Sequence, residues 1–303
     1  MSQKIAFIGL GAMGQPMAAN IQRKGAHLTV YDTDPARMEP LRDLGADLAG
    51  SVAEAARDAR IVITMLPATQ HVEEVVLGAG GVADVIAPGG IIMDMSTIAP
   101  TGTDRIAAAC AERGLTFIDA PVGRLVIHAQ KGESLFMVGG ENDQAFEAVK
   151  PLLEKMGTTI HRCGATGTGI RTKLVNNLMI ISIAQVTAEG LTLAAKLGLD
   201  IEMLKEVNAG TSGTNGQFQL NFATKVLVGD TAPGFTIDLA HKDMTLAIEA
   251  ASAVRVGLPV GAATHAALGQ ARAGDYALKD FTALLDYAAE NSGIPPVRLN
   301  SKP

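Results

Sequence analysis

An apolar run that feeds directly into a glycine-rich turn constrains this chain more than any other feature. Ile5–Ile8 predicts a short buried strand, and Gly9-Leu-Gly11-Ala12-Met13-Gly14 follows at once. Gln15–Lys24 then reads as a helix, and His27–Tyr31 predicts a second strand that ends on Asp32. Gly-x-Gly-x-x-Gly alone is common. Between a strand and a helix, with an acid closing the next strand, it is the fingerprint of a dinucleotide site. The first glycine permits the tight turn and the second leaves room for a pyrophosphate. The third lets the helix pack close to the strand, and the free N–H groups at the helix start meet the phosphates.

Asp32 refines that expectation. An acid at this point accepts hydrogen bonds from the adenosine ribose hydroxyls and repels a 2′-phosphate. Thr33, Asp34 and Pro35 follow, with no arginine directly after the acid. The pattern favours NAD, as NADH in the reductive direction, over NADP. The other reading of Asp32 is a cap for the loop at Thr33–Pro35.

A length of 303 residues suggests two domains. The net charge of −6 argues against nucleic acid and against anionic membrane surfaces as partners. Cys110 and Cys163 show no metal-ligand spacing, so no metal is expected, and they read as reduced thiols of a cytoplasmic protein. The chain starts on a core strand rather than on a signal peptide. The apolar stretch Leu178–Val186 is too short to span a bilayer.

Strand patterns recur at Ile5–Ile8, Leu28–Tyr31, Ile61–Met65, Ile91–Asp94, Thr116–Asp119, Ser134–Gly139 and Thr159–Arg162. Helical patterns alternate with them at Pro16–Lys24, Pro35–Leu44, Val52–Asp58, Gln70–Leu77, Pro100–Glu112 and Gln144–Glu154. Such alternation implies an α/β Rossmann domain, with a doubly wound, mostly parallel sheet, over residues 1–163. From residue 164 to 303 the chain reads as all-α. A long helix over residues 170–196 would join the domains, and further helices are expected near 200–208, 215–228, 238–256, 259–273 and 279–289.

A second glycine-rich turn opens that long helix: Gly164-Ala-Thr-Gly167-Thr-Gly169-Ile-Arg-Thr-Lys173-Leu-Val-Asn176-Asn177. Lys173 and Asn177 are four apart and share a face, with Asn176 beside it. A lone helical lysine is usually a solvated charge. This one lies near the expected domain junction, next to two amides in an otherwise apolar helix. An ammonium so placed would protonate the alkoxide formed when a carbonyl takes up hydride. An asparagine would hold the same oxygen or a neighbouring hydroxyl.

These motifs together resemble the β-hydroxyacid dehydrogenase family, which includes 3-hydroxyisobutyrate and tartronate semialdehyde dehydrogenases. The resemblance covers nearly the whole chain. It rests on Ile8-Gly-Leu-Gly-Ala-Met-Gly14, Asp94-Met-Ser-Thr97-Ile-Ala-Pro100, Asp119-Ala-Pro-Val122, the Gly164–Asn177 motif and Asp238-Leu-Ala-His-Lys242-Asp243. It implies Lys173 as the catalytic acid/base, and Ser96, Thr97, Asn176, Asn177 and the loop after Val122 at the substrate. It implies Gly9, Gly11, Ala12, Met13, Gly14, Asp32, Leu66, Pro67, Thr97 and Lys242 at the cofactor. By its neighbours alone, Lys242 reads as an ion-pair partner of Asp238 or Asp243. The helical second domain resembles the family's dimerising domain and implies a homodimer or homotetramer.

One position departs from the family pattern. After Asp-Ala-Pro-Val most members carry Ser-Gly-Gly, whose small side chains and N–H groups cradle a carboxylate. Here Gly123-Arg124-Leu125 stands instead. The planar fork of an arginine suits a three-oxygen head group such as a sulfonate. This Pro-Val-Gly-Arg stretch resembles the branch of the family that reduces 3-sulfolactaldehyde, as do Gly169–Asn177 and Ile237–Asp243. The substrate implied is a small anionic aldehyde or hydroxy acid, and the product from 3-sulfolactaldehyde would be 2,3-dihydroxypropane-1-sulfonate.

Other readings stay open. Arg124 packs outward or pairs with an acid such as Glu133. The substrate is a carboxylate, as with 3-hydroxyisobutyrate, tartronate semialdehyde or succinic semialdehyde. The chain is a non-catalytic nucleotide-binding scaffold, although such relatives replace the lysine retained here as Lys173. Arg171 reaches the anion or serves the surface. His128 lines the pocket or is an ordinary loop histidine. Thr211–Gly216 closes over the site or is a plain helix–helix turn.

Overall fold

The computed structural model of the chain describes residues 4–299. Among these residues nine strands form one sheet. They are β1 (Ile5–Ile8), β2 (Leu28–Tyr31), β3 (Asp47–Leu48), β4 (Ile61–Thr64), β5 (Ile91–Asp94), β6 (Thr116–Asp119), β7 (Val122–Gly123), β8 (Ser134–Gly139) and β9 (Gly157–Gly164). The first six lie in the order β3-β2-β1-β4-β5-β6, all parallel. Ile5 stands opposite both Leu28 and Ile61, so the chain winds outward in two directions from β1. The crevice beyond the ends of β1 and β4 is therefore the switch point where such sheets take their ligands. β8 turns antiparallel to β6 and β7, and β9 runs parallel to β8.

Helices cover both faces: α1 (Gly14–Arg23), α2 (Glu39–Arg42), α3 (Val52–Ala56), α4 (Thr69–Leu77), α5 (Val82–Val85), α6 (Pro100–Glu112), α7 (Val126–Lys131) and α8 (Asp143–Met156). Adjacent strand residues point to opposite sides. Phe7 thus joins Met17, Ile21, Phe136 and Leu153 on one side of the sheet. Ile8 joins Val62, Val72, Ile106 and Phe117 on the other. With both faces buried, the strands read as unbroken apolar runs rather than as alternation. β3 and β7 are two residues each, too short to leave such a run.

The remaining elements are α9 (Thr168–Lys196), α10 (Ile201–Ala209), α11 (Ile237–Ala253), α12 (Pro259–Ala273) and α13 (Leu284–Asn291). Ile181, Ala188, Phe218, Phe222, Met244, Leu268 and Leu285 share one core. The helix expected over 215–228 is two pieces: a π-helical segment, Gln217–Phe222, and a 3-10 turn, Val226–Val228. The break comes at Lys225, where φ −122° and ψ −102° leave the helical region. Its ammonium is drawn to Asp230 at 2.6 Å and to the Ala232 carbonyl at 2.8 Å.

The chain divides into two compact units, Met1–Lys173 and Leu174–Pro303. The division falls inside α9, ten residues beyond the 163/164 boundary suggested by the change in composition. The reason is local, because the first turns of α9 are hydrogen-bonded to side chains of β6 and α6. By length and composition α9 is also long and apolar enough to cross a membrane, well beyond the Leu178–Val186 stretch. Of its apolar window 39% is buried, and Ile181, Ala184, Ala188, Leu191 and Ala194 on it are core residues of the second unit.

Candidate active site

The turn after β1 is shaped by two close approaches. Gly9 has φ 96°, and a Cβ there would lie 2.3 Å from the Met65 carbonyl oxygen. A Cβ on Gly14 would lie 2.0 Å from the Gly9 carbonyl oxygen. Above Gly11, by contrast, a Cβ would meet nothing nearer than Arg37 Nη1 at 4.0 Å. No side chain caps α1 at Met13, and Ala12 is exposed at the tip of the turn. The turn thus offers uncapped helix N–H groups and open space, which fits a pyrophosphate.

Asp32 is only 8% exposed. Its Oδ2 accepts the Leu10 N–H at 2.7 Å, and its Oδ1 accepts the Asp34 N–H at 2.9 Å. It therefore caps its own loop and braces the glycine turn, while each oxygen keeps a lone pair for a ribose hydroxyl. Arg37 lies closer than its place in the sequence suggests. A 3-10 turn, Pro35–Arg37, folds it back so that Nη1 stands 3.9 Å from Asp32 Oδ1 and Nε 3.3 Å from Asp34 Oδ2.

Asp94 ends β5 and organises the neighbouring loops. Its Oδ1 accepts from Thr64 Oγ1 at 2.7 Å, Ser96 Oγ at 2.6 Å and the Ser96 N–H at 3.3 Å. Ser96 Oγ in turn accepts the Leu66 N–H at 2.8 Å. Ser96, expected at the substrate, is 2% exposed, and its hydroxyl already has two partners. Its hydroxyl proton goes to Asp94, and its oxygen fixes the start of the Leu66–Pro67 loop. Thr97, the next residue, is half-buried at the start of the following loop.

Burial raises the Asp94 carboxyl to about 6, against the pull of its hydrogen bonds from Ser96 and Thr64. Between the ordinary carboxylate range and about 6 the native state then holds a proton that the unfolded chain has lost. Stability is greater at the acid end of that window and falls as pH rises through it. Asp94→Asn keeps the Oδ1 acceptor and removes the charge. It is expected to stabilise the fold by an amount on the order of 2 kcal/mol at pH 8 and by almost nothing at pH 4. Urea midpoints at the two pH values check this, and a variant no more stable than the parent at pH 8 would rule it out.

The start of α9 is held at several points. Asp119 ends β6, and its Oδ1 and Oδ2 accept the N–H groups of Gly167 at 2.6 Å and Ile170 at 2.7 Å. Arg171 forks onto Asp104 of α6 with bonds of 3.0 and 2.6 Å, so it serves as a tether between helices rather than as an anion contact. Lys173, half-buried, donates from Nζ to the Val122 carbonyl at 2.7 Å, next to buried Gly123. Farther along α9, Asn177 is 5% exposed and donates from Nδ2 to Asp243 Oδ2 at 2.6 Å. Asn176 is exposed, because consecutive residues diverge by about 100° around a helix. Of the two acids considered for Lys242, Asp243 is the partner at 3.1 Å, while Asp238 binds Arg272.

Arg124 differs from its expected pose. Its φ is 73°, a left-handed conformation that favours glycine, which explains the family's glycine there. Its Nη1 donates to the Glu133 carbonyl oxygen and to Thr158 Oγ1 at 3.0 Å, and its Nη2 to Thr159 Oγ1 at 3.2 Å. The guanidinium is thus laid along β9 rather than over the loop. The contact with Glu133 is to its main chain and not to its carboxylate. All three partners are neutral, so these contacts leave the positive charge uncompensated. His128 accepts the Leu125 N–H at the start of α7, an ordinary local role. The Thr211–Gly216 loop is knitted to its flanking helices through Asn208 and Asn215.

Asp94 and Asp119 have structural roles that residue patterns did not single out, whereas Asp243 was already read as a candidate partner of Lys242. For the first two a signal existed, since each is an acid closing an apolar strand run, as Asp32 is. Among the described residues no cluster of three or more His, Cys, Asp or Glu side chains is placed to hold a metal ion.

Comparison with known proteins bears on this geometry. The family model for the NAD binding domain of 6-phosphogluconate dehydrogenase matches residues 4–167. The model for the NAD-binding domain of NADP-dependent 3-hydroxyisobutyrate dehydrogenase matches residues 167–288. The chain is 39% identical to 3-sulfolactaldehyde reductase of Escherichia coli over 290 residues, covering 96% of this chain and 97% of that protein. It is 40% identical to NAD-dependent L-serine dehydrogenase of Pseudomonas aeruginosa over 266 residues, covering 86% and 89%. The solved structure of Mycobacterium tuberculosis 3-hydroxyisobutyrate dehydrogenase with L-serine superposes with a TM-score of 0.86 at 32% identity, covering 95% and 99%. With the open glycine turn, these likenesses establish a nicotinamide dinucleotide as the cofactor.

Proposed function

As this chain belongs to the β-hydroxyacid dehydrogenase family, we propose that it reduces 3-sulfolactaldehyde to 2,3-dihydroxypropane-1-sulfonate with NADH. One observation carries the reading. Val122 holds the Lys173 ammonium, and two residues later stands Arg124, a guanidinium with only neutral partners. A proton donor is thus held beside Gly123, and the next residue in the chain carries the cation for an acidic head group. The identity to 3-sulfolactaldehyde reductase over nearly the whole chain supports the same substrate.

The bound dinucleotide supplies the hydride. Lys173 Nζ gives its proton to the oxygen of the reduced carbonyl and regains one from solvent, and the Val122 carbonyl orients the ammonium for that transfer. Asn177, with Nδ2 committed to Asp243, offers Oδ1 to a substrate hydroxyl. Lys242, paired to Asp243, is read as a cofactor residue on its family motif alone.

A second reading has its own observation. Arg124 is laid against Thr158, Thr159 and the Glu133 carbonyl, which leaves the Gly123 turn itself to cradle a carboxylate. A panel of 3-sulfolactaldehyde, tartronate semialdehyde, methylmalonate semialdehyde and succinic semialdehyde, each with NADH and NADPH, tests both. Greatest kcat/KM on any of the three carboxylates overturns the sulfonate.

NADH is expected to exceed NADPH by about tenfold or more in kcat/KM. A carboxylate facing a 2′-phosphate costs roughly 1.4 kcal/mol or more, which is tenfold. Arg37 lies near enough to Asp32 to offset part of that repulsion, so Arg37→Ala should widen the ratio. Equal use of the two cofactors by the parent would remove Asp32 from the choice. The free cysteines and the exposed Val175, Met179, Val186 and Leu193 of α9 support a cytoplasmic homodimer or homotetramer. Light scattering after size exclusion checks the assembly.

A further inference from the structure

We propose that Asp119 is a positioning residue for Lys173, setting the place of the proton donor without touching substrate. The proposal rests on the reading of Lys173 as that donor.

The first N–H groups of a helix need partners from outside the helix. Locally only the Thr168 N–H is served, by the Ala165 carbonyl at 3.0 Å, and the Thr168 hydroxyl donates to that same carbonyl instead of accepting an N–H. The Asp119 carboxylate takes the Gly167 and Ile170 N–H groups from across the fold, 48 and 51 residues away in sequence. Three residues after Asp119, the Val122 carbonyl takes the ammonium of Lys173, which is itself three residues after Ile170. The segment 119–122 and the helix turn 170–173 are therefore pinned at both ends. Sliding or rotating α9 on its axis would strain both attachments together.

The surroundings are cut to this contact. Asp119 is 1% exposed. A Cβ on Gly139 of β8 would lie 2.3 Å from its Oδ1, and a Cβ on Gly169 of α9 would lie 2.8 Å from its Oδ2. Missing side chains on two elements leave the space that the carboxylate fills. Both of its oxygens serve main-chain N–H groups, and the negative charge sits at the positive end of the helix dipole. The second tether of the same helix start, Arg171 to Asp104, lies on the exposed side. Asp119 is thus the buried one of the pair, where relaxation is hardest.

Misplacing a reacting group by about 1 Å costs about 10²-fold in rate. In Asp119→Asn the amide turns an N–H toward one of the two helix N–H groups and pushes the turn away. The expected result is a fall in kcat of about 10²-fold, with the aldehyde KM and the NADH dissociation constant within about threefold of the parent. The decisive measurement is a double-mutant cycle with Lys173→Ala. If Asp119 acts through Lys173, adding Asp119→Asn to Lys173→Ala changes turnover by less than about threefold. Should the asparagine variant fail to fold, Asp119→Glu keeps the charge and both acceptors but shifts them by one methylene, and it is read the same way. A folded variant with parental kcat overturns the proposal. So does an equal loss in both backgrounds, which would mark a merely structural role. Parental turnover in Lys173→Ala alone removes the proton-donor reading, and this proposal with it. Loss in Lys173→Ala that adds to the loss in Asp119→Asn removes this proposal alone.

Discussion

Lys173→Ala is expected to lower turnover by about 10²–10⁴-fold, the range of general acid catalysis, while NADH binds as it does to the parent. The two halves separate because of where the residue sits. The glycine turn after β1 and the Asp32 loop contain the residues read as cofactor ligands, and Lys173 is not one of those residues. It is anchored instead to the Val122 carbonyl at 2.7 Å, beside the Gly123 turn. Removing the ammonium leaves the nascent alkoxide to take its proton from water. Fluorescence titration with NADH tests binding, and steady-state rates test turnover. Turnover within a few-fold of the parent would exclude Lys173 as the acid, and a large loss of NADH affinity would reassign it to the cofactor.

Arg124→Gly is expected to cut kcat/KM on 3-sulfolactaldehyde by about 10²–10³-fold. Charge-assisted hydrogen bonds contribute about 1.5–3 kcal/mol each, and one or two of them to a sulfonate account for that range. A sulfonate remains anionic at any physiological pH and needs a positive partner wherever water is scarce. The variant is a clean test because φ is 73° at this position. Glycine relieves a left-handed conformation worth roughly 1–2 kcal/mol, which offsets the lost contacts to Thr158, Thr159 and the Glu133 carbonyl. Activity should fall with little loss of stability. An uncharged short aldehyde should lose much less, and Arg124→Lys should restore only part of the rate, since a point charge lacks the planar fork. Equal losses on charged and neutral aldehydes would make Arg124 a strut of β9, and the carboxylate reading would then be the better one.

The cofactor half of the site was legible in the residues because each part of it is local. A strand buried on both faces is an apolar run, Gly9 is required by its own backbone angle, and Asp32 closes the next such run. The switch of architecture after the first domain was legible too, since helical periodicity and strand runs leave different marks over ten residues. The limits were equally physical. β3 and β7 were invisible because two residues carry no period. Arg37 escaped notice because a single 3-10 turn, not sequence adjacency, brings it to Asp32.

The substrate half depended on pairings that no window of sequence contains. Ser96 and Asn176 occupy matching motif positions, yet one spends its hydroxyl on Asp94 and Leu66 and the other faces solvent. Arg124 stands one residue from the expected cradle, but its guanidinium follows Thr158 and Thr159, 34 and 35 residues on. Residue types alone therefore determined the two-domain α/β plan and the dinucleotide turn, both of which rest on local backbone demands. Tertiary structure decided which way each polar side chain turns. A buried polar group must find a partner wherever packing puts one, and here that partner lies tens of residues away.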